Sequence, residues 1–390
     1  MSNMQILWYI PTGSDKRYLG TNIGSRVPTL DYVQQVGKAV DSLGFTGALI
    51  PTGNYCEDAW ITASTLIPIT KQMKFLVAVR PGAITSGAAI RMAATFDRFS
   101  QGRLILNITP GGDPIQNAGD GTHLEHDERY EYADEFLTVW RAVMSGETVD
   151  FQGKYLDIRG SRLEFPPVQT PHPPLWLGGS SAAAQRVAAK HIDFYLTWGE
   201  PPEQVAKNIA TVRQLAAQYG RTVRFGLRLH VVVRETASQA WDAANDLLKY
   251  VDDAAIAAAQ KELAKTDSEG QRRVSQLHNG SREALEVSPN LWAGIGLVRG
   301  GNGLALVGDP DSVAARMLEY HKLGIDAFIF SAYPHLEEAY RFAELLFPRL
   351  PLQSESTSVM PQIFSSINRV RSSENTVGSG GNNKAKQVGG

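Results

Sequence analysis

The chain has 390 residues, of which 43% are hydrophobic and 20% charged, which is enough apolar mass for a large core. Lys and Arg total 38 against 40 Asp and Glu, a formal net charge of -2, so the overall balance draws the chain toward neither nucleic acid nor an anionic membrane. The single cysteine, Cys56, excludes an intrachain disulfide and any cysteine-rich zinc site.

Met1 to Pro11 lacks the basic segment, apolar run and small-residue cleavage site of a secretory signal. No stretch approaches the roughly 20 apolar residues that span a bilayer. The expected location is cytoplasmic, with no membrane and no nucleic-acid partner. Gln5 to Pro11 reads as a buried strand stopped by proline. Thr29 then opens a helix with its apolar stripe at Tyr32, Val33, Val36, Ala39, Val40 and Leu43, and Gly44 closes it. Gly47 to Pro51, Phe75 to Val79 and Arg103 to Ile108 read as further strands. A long helix capped at Asp127 carries Ala133, Phe136, Leu137, Trp140, Val143 and Met144 and ends at Gly146. Leu175 to Leu177 and Phe194 to Trp198 are short strands around an alanine-rich helix. Arg224 to Val233 is a strand, and Thr236 begins a helix. Pro310 to Leu323 reads as helix, and Phe328 to Tyr333 as the last strand.

Repeated β/α units favour a parallel sheet covered by helices. Eight strand candidates at this length predict an α/β fold, a (β/α)8 TIM barrel. The competing open doubly wound sheet lacks an early G-x-G-x-x-G turn. The barrel is expected over residues 1–352. Tyr250 to Asn302 is too long for an ordinary connection and reads as an insertion or lid at about 250–302. Residues 353–390, rich in Ser, Asn and Gly, read as a disordered tail.

In such a barrel the strand C-termini build the site. Arg228 and His230 share one face of their strand, with Leu227, Leu229 and Val231 on the other; the pair suggests anion binding and proton transfer, or a satisfied polar layer. Gly178-Gly179-Ser180-Ser181 follows a strand and opens a helix, as a phosphate cradle or a plain N-cap turn would. Arg299, beside a Gly-Gly pair, could swing over a bound anion or sit in solvent. Tyr333 could donate a proton or a hydrogen bond. Cys56 has no local Cys/His signature and reads as a small pocket-lining residue. His123, His126 and Asp127 form no recognised ligand pattern, so no metal is expected.

Several longer runs resemble one family. They include Pro51-Thr52-Gly53, Cys56-Glu57-Asp58-Ala59-Trp60, Arg91-Met92-Ala93-Ala94-Thr95, His126-Asp127-Glu128-Arg129-Tyr130 and Gly178-Gly179-Ser180-Ser181. Tyr195-Leu196-Thr197-Trp198-Gly199-Glu200-Pro201-Pro202, Arg228-Leu229-His230, Leu297-Val298-Arg299-Gly300-Gly301 and Tyr333-Pro334-His335-Leu336-Glu337-Glu338-Ala339-Tyr340 extend the set. In order, from Ile6 to Leu352, they resemble the two-component alkanesulfonate monooxygenases of the bacterial luciferase-like flavin family. The resemblance implies FMN, used as FMNH2 and supplied by a separate NAD(P)H-dependent FMN reductase. It further implies O2 as oxidant, an alkanesulfonate cleaved at its C–S bond to aldehyde and sulfite, and a homo-oligomer, often a tetramer. It implies an active-site set of Cys56, Arg228, His230, Arg299 and Tyr333. Tyr130, Gly179, Ser180 and Ser181 would hold the FMN phosphate, and Asn107 and Trp198 would line the cofactor cavity. Alternatives are a monooxygenase for methanesulfonate or another small organosulfur compound, a deazaflavin-dependent dehydrogenase, and a non-catalytic flavin binder. The sequence departs from the family at Gly13, Asn22, Asn54-Tyr55 and Thr109-Pro110, all expected near the site.

Overall fold

The computed structural model describes residues 3–352. The tail at 353–390, read above as disordered, lies outside the described residues.

Eight parallel strands close into a barrel: β1 (Gln5–Tyr9), β2 (Gly47–Ile50), β3 (Lys74–Val79), β4 (Leu104–Ile108), β5 (Leu175–Gly178), β6 (Phe194–Trp198), β7 (Arg224–Val233) and β8 (Ile325–Ser331). Each pairs with the next in sequence, and β1 closes the ring against both β2 (Leu7 opposite Gly47) and β8 (Gln5 opposite Ala327). All eight strand candidates in the sequence are barrel strands. Their legibility follows from burial on both faces, which forces near-continuous apolar runs such as Phe75–Val79. Helices cover the outside. Leu30–Leu43 begins where Thr29 Oγ1 accepts from Tyr32 N at 3.2 Å, and ends at Gly44, whose φ of 88° puts it in the left-handed region.

Three expectations need correction. The long helix is His126–Met144, and its cap is Glu125, not Asp127. Glu128 Oε2 accepts from Glu125 N at 3.0 Å in a reciprocal box, which satisfies two orphan donors where Asp127 would satisfy one. The last strand stops at Ser331, so Tyr333 lies beyond it, in the turn leading to helix His335–Leu346. The third is a strand missed after the segment at 250–302, which holds helices Asp253–Leu263 and Glu269–His278 and short strands Glu286–Ser288 and Leu291–Trp292. The strand Ala305–Gly308, absent from the reading of the sequence, follows it. That strand pairs in parallel with the second half of β7, Ala305 opposite His230, and antiparallel with Leu291–Trp292. Trp292, Ile295, Leu297 and Ile256 bury themselves in one cluster with Val232 and Tyr333, so the insertion shares a core with the barrel rim.

The core between β1 and the helix His335–Leu346 depends on Trp8. It is fully buried, packs against Phe45 at 5.3 Å and Phe342 at 5.7 Å, and donates from Nε1 to His335 O at 3.1 Å. Trp8→Ala should cost about 3–5 kcal/mol, read as a lower denaturant midpoint at unchanged slope. A midpoint like the wild type's would mean the site collapses without leaving a void.

No helix among the described residues is long and apolar enough to cross a membrane.

Candidate active site

One cavity of about 1090 Å³ opens at the C-terminal ends of the barrel strands. Every strand contributes: Tyr9, Leu49, Ala78, Asn107, Gly178, Leu196, Arg228 and Ile329 belong to β1 through β8 in turn. This is the end of the barrel where active sites form, and the volume sits at the top of the about 300–1,000 Å³ typical of small-molecule sites. A cofactor and a second reactant fit together in such a space. Of the residues singled out from sequence, Cys56, Asn107, Tyr130, Gly179, Ser180, Ser181, Trp198, Arg228, Arg299 and Tyr333 all line it. His230 does not; it is 1% exposed and sits behind the wall.

Two guanidiniums dominate one side. Arg228 Nη2 donates to Ser331 Oγ at 2.8 Å, and Nη1 donates to Leu229 O at 2.6 Å. Its guanidinium lies 5.2 Å from the Tyr9 ring. Burial, then the charge of Arg299, pulls Arg228 down to about 10, still cationic at neutral pH. Arg299 comes from the insertion, and its Nη1 donates to Gly300 O at 3.3 Å and faces His230 Nε2 at 3.3 Å. Among the described residues neither arginine has a carboxylate at ion-pair distance, and the leading counter-charges around them are the phenols of Tyr9 and Tyr333. Buried cations are normally paired. Here the two share one cavity wall, and the acids that line the same cavity, Asp113, Asp267 and Glu269, form no ion pair with either of them.

His230 is held neutral by its surroundings. Arginine can only donate, so His230 Nε2 accepts and Nδ1 carries the proton toward Ser331 Oγ, 2.7 Å away. Burial, with the positive charges of Arg228 and Arg299, holds this imidazole well below its ordinary range. It stacks on Tyr333 with ring centroids 5.5 Å apart and planes at 18°.

A helix N-terminus borders the cavity at the turn after β5. Ser181 caps helix Ala182–His191, its Oγ accepting from Ala184 N at 3.2 Å, so the helix opens with N–H groups toward the cavity. Tyr195 donates to Gly179 O at 2.6 Å and fixes the turn. A Cβ on Gly179 would lie 2.6 Å from Ala184 Cβ and 3.1 Å from the Tyr130 hydroxyl. Only glycine leaves that cradle open. Burial pushes Tyr130 up to about 12, so its hydroxyl is protonated and can donate. Burial also pushes the Cys56 thiol up, which leaves it neutral rather than a thiolate nucleophile.

The insertion covers this cavity and is tied to the rim. Arg129 Nη2 meets Asp267 Oδ2 at 2.5 Å, and Arg273 binds Glu200 through two contacts of 2.6 and 2.8 Å. Gly301 N donates to Gln271 Oε1 at 2.9 Å, and Asn302 Nδ2 donates to Arg228 O at 2.6 Å. Gly270 packs so closely on Trp198 that a Cβ there would approach its ring to 3.1 Å.

Sequence reasoning left His335 without a role, although it lines the cavity. Arg80 also lines it, donating from Nη2 to Gln116 Oε1 at 2.5 Å and paired with Asp120. The departures Gly13, Asn22, Tyr55, Thr109 and Pro110 are wall residues. No group of three or more potential metal ligands occurs among the described residues.

A (β/α)8 barrel with one large cavity at the C-terminal ends of its strands, bordered by a helix N-terminus and two arginines, has the form of a barrel enzyme. The chain belongs to the luciferase-like monooxygenase family, whose model matches residues 4–327. Among solved structures it is similar to DmoA from Hyphomicrobium sulfonivorans, with a TM-score of 0.73 and 18% identity over 91% of this chain and 90% of that one. It is also similar to the long-chain alkane monooxygenase LadA, with a TM-score of 0.72 and 20% identity over 89% and 91%. The riboflavin lyase RcaE, solved with modified FMN and riboflavin, gives a TM-score of 0.71 and 18% identity over 89% and 91%. At these identities the likeness describes the barrel and not its substrate.

Proposed function

We propose that the chain is a two-component flavin monooxygenase that cleaves the C–S bond of alkanesulfonates to aldehyde and sulfite. FMN, delivered as FMNH2 by a separate NAD(P)H-dependent reductase, is the proposed cofactor and O2 the oxidant. A cytoplasmic homotetramer is the assembly this reading carries with it. The observation that carries the substrate class is the pair Arg228 and Arg299, which line one cavity with no carboxylate at ion-pair distance from either among the described residues. A sulfonate is a permanently charged anion whose oxygens match the guanidinium forks.

The residues present fit FMN. The open cradle at Gly179, the capped helix behind it and the protonated Tyr130 hydroxyl supply donors for a phosphate. The apolar wall of Leu49, Ala78 and Leu196, with Asn107 and Trp198, suits a flat ring system. When bound, the reduced flavin supplies the two electrons with which O2 is activated. The chain's own work is positioning. Ser180, Ser181 and Tyr130 anchor one end of the cavity, while Arg228 and Arg299 orient the sulfo group at the other. Cys56 lines the wall, and Tyr333 offers a neutral hydroxyl beside His230. The segment carrying Arg299 excludes water, which strengthens each charge contact beneath it.

The test is aerobic sulfite release from a panel of alkanesulfonates, from methanesulfonate to long chains, with FMN and a flavin reductase. Sulfite that depends on both O2 and reduced flavin is the expected result. Its absence at every chain length rejects the reading, and relative kcat/KM separates a methanesulfonate specialist. Substrate turnover without O2 would favour hydride transfer to a deazaflavin.

A further inference from the structure

His335, unlike His230, belongs to the lining of the cavity, and its setting is the opposite one. His335 Nδ1 contacts Asp15 Oδ1 at 2.7 Å, and its backbone N–H reaches both Asp15 oxygens, at 3.1 and 2.9 Å. The Asp15 side chain is fully buried and held below the usual carboxylate range: burial opposes ionisation, but His335 and Tyr32 outweigh it. The Tyr32 hydroxyl donates to Asp15 Oδ2, and Arg26 Nη1 donates to that hydroxyl at 3.1 Å. Arg26 is in turn bound by Glu337. With Nδ1 committed to Asp15, Nε2 is the ring nitrogen without a hydrogen-bond partner among the described residues, and the side chain lines the cavity.

The other groups around His335 supply no competing carboxylate. Tyr9 of β1 and Tyr333 place their rings 5.4 and 5.3 Å away. The Trp8 indole is bonded to the His335 carbonyl, and His230 is neutral. On the same helix, the Glu338 carboxylate is taken by Arg234 and Arg341.

We propose that His335, not His230, is the imidazole that exchanges protons with reactants in the cavity, and that Asp15 is its positioning residue, fixing the tautomer and matching the charge of the imidazolium. This rests on the monooxygenase reading. In that reaction alkanesulfonate, O2 and reduced flavin give aldehyde, bisulfite, oxidised flavin and water. The carbon bearing sulfur gives up one hydrogen as a proton, and the C–S electron pair leaves with sulfur. One oxygen atom stays on carbon, and the other leaves as water after taking up protons. His335 Nε2 accepts the proton from carbon and returns it to the departing oxygen. His230 cannot serve, because protonating Nε2 would bring a third positive charge against Arg299.

The experiment pairs two measurements on the full-length protein. The first is the 15N spectrum of labelled histidines across pH. It should show His335 as the Nδ1–H tautomer, a preference lost in Asp15→Asn, and His230 as neutral throughout. The second is the pH profile of kcat for sulfite release. Its acidic limb should move down in Asp15→Asn. Tyr32→Phe should move it the other way, because losing that hydroxyl concentrates charge on the carboxylate. A merely structural tether would move neither limb. The proposal fails if both variants leave the limb in place, or if His230 titrates while His335 does not. Should the wild type release no sulfite at all, the monooxygenase reading falls, and the histidine spectra still decide the pair.

Discussion

Arg299→Ala should lower kcat/KM for any accepted sulfonate by about a hundredfold or more, with FMN affinity changed only modestly. Removing one partner of a buried, hydrogen-bonded charge contact costs about 2–5 kcal/mol, and 2.7 kcal/mol is already a hundredfold. The flavin is spared because the proposed phosphate cradle is built from the turn after β5 and does not include the segment carrying Arg299. Steady-state kinetics beside flavin fluorescence titration checks both halves. Wild-type sulfite production in the variant would remove Arg299 from the site. Loss of flavin binding as large as the loss of rate would instead make it a cofactor residue.

Gly179→Val should weaken flavin binding about a hundredfold while leaving the barrel folded. The added Cβ meets another Cβ, that of Ala184, at 2.6 Å, and this atom cannot rotate away as the end of a flexible side chain could. The turn must shift, and the helix-terminal N–H groups shift with it. An affinity loss of about a hundredfold is the expected order, since a displacement of the donors forfeits several charge-assisted hydrogen bonds at once. Fluorescence titration with FMN and circular dichroism separate loss of the cradle from loss of the fold. Unchanged affinity would show that the phosphate is held elsewhere.

The barrel was legible because its strands are buried on both sides, so runs such as Leu175–Leu177 stand out without any periodicity. Arg228 and His230 were legible for the complementary reason: polar residues two apart in an apolar strand share a face. Ala305–Gly308 escaped because it follows a glycine-rich turn and adds beside the second half of β7, outside the β/α repeat that marks the other strands. The Asp127 cap failed because two acids on either side of His126, Glu125 and Asp127, both precede an apolar stripe, and the choice depends on which one Glu128 can answer. His335 stood in a quoted run, yet its partner Asp15 is 320 positions away, and local patterning cannot join residues across that distance. The departures at Gly13, Asn22, Tyr55, Thr109 and Pro110 could be named from the sequence, but the wall they share is visible only after the barrel closes.

Arg228 rises from the barrel and Arg299 descends from the insertion, and each raises the other's electrostatic energy. The backbone around Arg299 is simultaneously pinned to β7, since Asn302 holds the Arg228 carbonyl. The two halves of the clamp are therefore pressed together by neutral bonds and pushed apart by their own charges, like a spring under load. A negative ion between them relaxes that spring, so the ligand that needs shielding is also the one that makes shielding downhill. An uncharged molecule of the same shape would leave the repulsion standing.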